Sequence, residues 1–195
     1  LLNKTISDRI GKLPGKIGVY YKDLNSGFSF YEGNSEMFSA AGLSKLFLLI
    51  ETLRQIDDGI LSSDAVHILK DKDKVPSIGA LSSLHEGIEL TIEDLSRVMI
   101  SVGDNTAFNI LLEKVGIESL NETLKIFGYE NSKIRRAFFD QAAIENGIEN
   151  TVSIIELGDL FERIYRGQLI SKKVSHYIIE LLKNQQRRSE QRRVG

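Results

Sequence analysis

A lysine stands at the head of a helix that should have no room for one. Gly42 to Ile56 (GLSKLFLLIETLRQI) is apolar on nearly every face in its first half. That pattern marks a buried helix, and Lys45 sits in it among Leu43, Leu46, Phe47, Leu48 and Leu49. A lone buried ammonium is costly, so Lys45 requires an internal polar partner and is a candidate site residue rather than a solvated one. A second concentration of polar groups is Gly103-Asp104-Asn105, placed to N-cap a helix from Thr106 to Val115. Other chemistries are excluded by residue type. The chain has no Cys, which removes thiolate catalysis, disulfides and Cys-held metals. His67, His85 and His176 are far apart and none lies in H-E-x-x-H spacing, so neither a metal site nor a cofactor is expected.

The elements that must position these residues read as one hairpin followed by helices. Lys16 to Lys22 (KIGVYYK) and Phe28 to Tyr31 (FSFY) are strand-like, and Asn25-Ser26-Gly27 between them is turn chemistry. Leu2 to Leu13 precedes them as an amphipathic helix. From Ser39 the texture is helical. Asp57-Asp58-Gly59 ends the apolar helix. Thr91 with Asp94, Ser119 with Glu122, Ser153 with Glu156, and Ser171 are the expected N-caps, and Gly128 and Gly167 the expected stops. The 195 residues divide into a partial α/β lobe (1–38), an all-helical lobe carrying a groove (39–185) and a basic polar tail (186–195). Charge is nearly balanced, 25 basic against 27 acidic residues, so electrostatics offers no case for nucleic acid or a membrane surface. No apolar run approaches the ~18 residues of a membrane span.

Two stretches carry a resemblance. One is Phe38-Ser39-Ala40-Ala41-Gly42-Leu43-Ser44-Lys45-Leu46. The other runs from Gly87-Ile88-Glu89-Leu90-Thr91 through Ser101-Val102-Gly103-Asp104-Asn105-Thr106-Ala107-Phe108-Asn109. Together they resemble the class A β-lactamases and related penicillin-recognising serine hydrolases, which carry S-x-x-K at the start of a buried helix, S-D-N on a loop between helices and K-T-G on a strand. The similarity continues through Asn150-Thr151-Val152-Ser153 and Gly167-Gln168-Leu169-Ile170-Ser171 and covers roughly residues 15–185. It implies an α+β, β-lactamase/transpeptidase-like fold and a β-lactam or acyl-D-Ala-like small-molecule ligand. It also implies an extracytoplasmic location. Lys45 would manage protons, Asp104 and Asn105 would line the substrate groove, and Asn109 would hold the neighbouring loop.

The departures matter as much as the matches. The nucleophile position of S-x-x-K is Gly42, and no lysine in the chain has Ser three residues before it. Ser39 and Ser44 are near but out of register; on a helix Ser44 points about 200° away from the nucleophile position. The first position of S-D-N is Gly103, which removes a second hydroxyl. K-T-G is absent; the only Lys-Thr pair, Lys4-Thr5, is followed by Ile6. For the deacylating carboxylate, Asp140 is the best positional candidate, with Glu145 and Glu149 behind it; a capping or surface role competes at each.

The resemblance therefore implies a serine-hydrolase scaffold expected to be inactive as written, since loss of the serine in a comparable catalytic unit costs about a millionfold in rate. A non-catalytic relative that binds peptidoglycan-like ligands or a protein partner is the alternative. Measured against the resembled family, no counterpart of its C-terminal sheet strands is expected within these residues, and an isolated hairpin is marginal in water. Residues 17–31 are thus expected to expose apolar surface or to self-associate. The first residue is Leu rather than Met, as in a processed or trimmed chain.

Overall fold

The computed structural model describes residues 2–76 and 79–186. It is an α+β chain with eight α-helices, one of them deeply buried, and three two-stranded sheets at the periphery, counted among the described residues with short 3-10 turns left aside. α1 (Leu2–Ile10) precedes the hairpin of β1 (Gly18–Lys22) and β2 (Ser29–Gly33). The register pairs Tyr20 with Tyr31 and Tyr21 with Phe30. Asp23 builds the turn: its carboxylate accepts from the Asn25 N–H and the Ser26 hydroxyl, and its carbonyl from the Gly27 N–H. The expected hairpin is present, shifted by one or two residues at its ends. One face of it packs on α7 (Ile154–Tyr165), where Gly158 admits the Tyr20 ring; any side chain at 158 would collide with that ring. The opposite face carries Tyr21 stacked on Phe30 at 5.3 Å, with Phe28 beside them and half exposed.

β3 (Met37–Ser39) leads into the groove and pairs antiparallel with β6 (Thr151–Ser153). The expected helix from Gly42 opens instead as a 3-10 turn, Ala41–Leu43, and α2 begins at Ser44 and runs to Asp57. The tighter turn arises because the Leu43 N–H already bonds the Ala40 carbonyl and the Ser44 N–H the carbonyls of Ala41 and Gly42. The body between 39 and 185 is not all-helical. β4 (Val66–Ile68) pairs with β5 (Glu89–Thr91), and β6 adds a third short strand. Three-residue strands are too short to show a period-two pattern, so the helical texture of their neighbours hid them.

The remaining helices are α3 (Ile92–Ser101), α4 (Asn105–Val115), α5 (Ile117–Ile126), α6 (Gln141–Glu145) and α8 (Lys172–Lys183). Thr91, Asp104, Ser153 and Ser171 cap α3, α4, α7 and α8 through their side chains. Ser119 does not cap. α5 starts earlier, after Gly116, and the Ser119 hydroxyl donates to Glu51 Oε1 at 2.6 Å. The tail expected from residue 186 onward lies outside the described residues except for Gln186, whose N–H bonds the Ser101 carbonyl.

Eleven of the fourteen residues of α2 are buried, and α3, α4 and α5 pack around it. Its middle holds a fully buried carboxylate, Glu51, which accepts from Arg54, Gln55 and Ser119. Burial would raise the Glu51 carboxyl, but those hydrogen bonds outweigh it and hold the group below the ordinary carboxylate range. Glu51→Ala strips a buried network of its acceptor and should destabilise the chain by about 3 kcal/mol in urea denaturation. A folded pKa below the unfolded value means the stabilisation is complete above about pH 4.5 and fades as pH falls further. The gap between wild type and variant should therefore narrow in acid; a loss under ~1 kcal/mol at pH 7 would show that the network is not holding α2.

Candidate active site

The groove is built where β3, the first turn of α2, the α3–α4 loop and the chain after Arg136 converge. It encloses about 900 Å³. Gly42, Lys45, Gly103 and Asn105 line it, together with Ser39, Phe138, Phe161 and Gln185. Entry to α2 requires a sharp change of direction, taken up by Ala41 at φ 42°. A left-handed alanine is strained by roughly 1–2 kcal/mol, and such outliers collect at functional sites. Ala40 is held from the other side, its N–H bonding the Asn150 carbonyl at 2.7 Å.

Lys45 is 8% exposed. Its Nζ donates to Asn105 Oδ1 at 2.6 Å and lies 4.2 Å from the centre of the Phe138 ring. Burial pushes its pKa from 10.5 down to about 8, against the opposing charge of Asp104. The polar partner that the sequence demanded is thus the Asn105 amide, sixty residues away. Phe138 is a groove residue that the sequence reading misses. It is presented by a loop fixed at two points. The Asn109 side chain bonds both the N–H and the carbonyl of Phe138 at 2.9 Å, and Asn150 accepts from the N–H groups of Arg135 and Arg136 while donating to the Arg136 carbonyl. No local signal marks Phe138, because the ring reaches Lys45 only through tertiary proximity.

Asp104 is brought next to the site but does not line it. It is buried, its Oδ1 capping α4 at Ala107 and its Oδ2 accepting from the N–H groups of Ala80 and Leu81. It acts on the groove through its charge and by fixing Asn105. Asp140 is placed at the N-cap of α6, accepting from the Ala143 N–H, and is not in the groove wall. Glu145 accepts from Gln141. Glu149 is paired with Arg136 at 2.5 Å and accepts from the Ser39 hydroxyl, and these two bonds hold its carboxyl below the ordinary range. Among the described residues no acidic side chain lines the groove.

The two glycines differ physically. A Cβ on Gly42 would meet nothing within 4 Å, so a larger residue fits there. Gly103 has φ +76° as the chain leaves α3, a conformation that L residues rarely adopt. Its glycine is explained by backbone geometry alone. Ser44, the hydroxyl next to Lys45 in sequence, is fully buried with no partner for its Oγ among the described residues, and it does not reach the groove.

Comparison with known proteins agrees with this layout. The model of the beta-lactamase enzyme family (Beta-lactamase2) matches residues 1–193. A beta-lactamase of Bacillus subtilis is 26% identical over 153 residues, 77% of this chain and 49% of that protein. One from Rhodobacter capsulatus is 23% identical over 186 residues, 94% of this chain and 63% of that protein. The chain thus spans about half to under two thirds of the length of these curated relatives. Among solved structures, a beta-lactamase from Sphaerobacter thermophilus superposes with a TM-score of 0.85 at 26% identity, covering 95% of this chain and 70% of that one. PBP-A shares the fold with a TM-score of 0.84 at 22% identity, covering 95% and 69%, and a mutant of it is solved as an acyl-enzyme complex with penicillin G. With its apolar lysine helix, its Asp-Asn helix cap and the groove between them, the chain belongs to the beta-lactamase enzyme family.

Proposed function

We propose that the groove is a ligand site for β-lactams or acyl-D-Ala-like amides on a serine-hydrolase scaffold that has lost its nucleophile, so that the chain binds such ligands without forming a serine ester. The observation that carries this is Lys45. Its ammonium is nearly buried at the groove wall, held by Asn105 Oδ1 at 2.6 Å and under the Phe138 ring, and burial disfavours the charge, as the lowering of its pKa from 10.5 to about 8 reflects. A methionine would fill the same space at no such cost. A groove in which Asn105 and Lys45 converge beside a missing side chain at Gly42 supports the ligand reading, as does the penicillin acyl-enzyme of a fold relative. The carboxylate arrangement argues against turnover: Asp140, Glu145 and Glu149 are all engaged outside the groove wall. An extracytoplasmic location is part of the same proposal; among the described residues no helix is long and apolar enough to cross a membrane.

Stability tests the cost at Lys45. Lys45→Met should raise unfolding free energy at pH 7 by about 2 kcal/mol. Between about pH 8 and 10.5 the native wild type releases a proton that the unfolded chain keeps, so wild-type stability rises with pH and the advantage of the variant shrinks across that window. A variant less stable than wild type at every pH would make Lys45 a structural residue and remove the main support for the site.

Chemistry tests the nucleophile. Wild type should hydrolyse nitrocefin no faster than buffer and yield no hydroxylamine-labile adduct by mass spectrometry. Gly42→Ser places a hydroxyl in open space beside Lys45 and should give a stoichiometric ester adduct. That adduct should accumulate instead of turning over, for want of a groove carboxylate. Wild-type turnover, or an ester formed on Ser39, would refute the proposal.

A further inference from the structure

We propose that Lys45 is itself an acyl acceptor, its Nζ attacking activated acyl compounds, strained lactams among them, that enter the groove beside Gly42. The lactam part of this rests on the ligand reading above; the reactivity of the amine does not. The geometry has three parts. Lys45 is withdrawn from bulk water yet is among the residues that line the open groove. Its Nζ is held at a fixed point by Asn105 Oδ1 on one side and the Phe138 ring on another. A Cβ at residue 42 would touch nothing within 4 Å, so the groove wall is open at that position.

Reactivity follows from the surroundings. The charged group acting on Nζ from α4 is Asp104, which favours the ammonium; the loop after Arg136 contributes the neutral Phe138 ring; and no other charged side chain lines the groove among the described residues. Desolvation prevails, and a buried amine of lowered basicity is the usual form of a nucleophilic lysine. At pH 8, a pKa of about 8 leaves roughly 150 times more free amine than the ordinary 10.5. In the step itself the Nζ lone pair forms a bond to the lactam carbonyl carbon. The ring C–N bond breaks, and one proton passes from Nζ to the departing ring nitrogen. Nothing is oxidised or lost, so the product is an amide heavier than the chain by one intact lactam. Without a water-activating carboxylate in the groove, that amide persists.

The test uses the full chain with two probes. Penicillin G at pH 8.5 is followed by intact mass and peptide mapping, with binding measured in parallel by ligand-observed NMR. p-Nitrophenyl acetate reports the amine without requiring recognition of a lactam. We expect one penicilloyl group per chain on Lys45, stable to neutral hydroxylamine. Acetylation of Lys45 should outpace that of exposed lysines at least tenfold, with a rate rising through a midpoint near pH 8. Lys45→Arg, which keeps the cation but removes the nucleophile, should abolish both products. Penicillin binding without a Lys45 adduct overturns the lactam step and leaves the ligand reading standing. Selective acetylation with no penicillin binding supports the acyl acceptor and overturns the ligand reading. Acetylation of Lys45 no faster than its exposed neighbours overturns the acyl acceptor outright, and so does label that survives in Lys45→Arg.

Discussion

The hydrogen bond between Lys45 Nζ and Asn105 Oδ1 ties the first turn of α2 to the head of α4, two helices that apolar packing already holds side by side, and fixes where an ammonium can sit between them. α2 is enclosed over its first three turns, and its flanking leucines leave the ammonium no route to water except toward the groove. A charge in that position is tolerated only if dipoles are already fixed around it. Asn105 can serve because Asp104 pins the head of α4, capping the helix with one oxygen and tying the 80–81 backbone with the other. The groove is therefore rigid where it is polar.

The same economy holds on the opposite wall. Phe138 covers Nζ because Asn109 grips its backbone from α4 and Asn150 grips Arg135 and Arg136 from the start of β6. Asn150 also fixes Ala40, which delivers the strained Ala41 and then Gly42. One residue thus sets the positions of both groove walls. Bulk stability is secured elsewhere, by the Glu51 network and the apolar packing of α2 against α3, α4 and α5. This separation lets the site carry an unfavourable charge without threatening the fold.

Much of this is legible in the sequence. Burial of α2 follows from its composition, and the caps of α3, α7 and α8 follow from side-chain chemistry within four residues. What depends on local physics can be read locally. What fails does so because another group, near or distant, decides the outcome. Ser119 has the right spacing for a cap, but a buried carboxylate 68 residues away claims its hydroxyl. Asp140 has the right chemistry for a base, but the nearest orphan N–H groups belong to α6 and it caps them. Phe138 could not be assigned to Lys45 at all, since a ring over an amine is a matter of tertiary proximity alone.

Gly42 and Gly103 looked alike as two absent hydroxyls and are not alike. At Gly103 the backbone is left-handed, so glycine satisfies the loop and needs no functional explanation. At Gly42 neither conformation nor space requires glycine. The residue there is unconstrained by the fold, while every group around it is tightly constrained. Inside a folded scaffold, a position free to vary beside a lysine that is costly to keep has no explanation in packing, and it is this contrast that the proposed loss of a nucleophile rests on. The open space also changes what Lys45 can do. With a serine present the amine would exchange protons with a neighbouring hydroxyl; with only hydrogen at that position, the hydroxyl and amine groups lining the groove among the described residues are those of Ser39, which donates to Glu149, and Lys45.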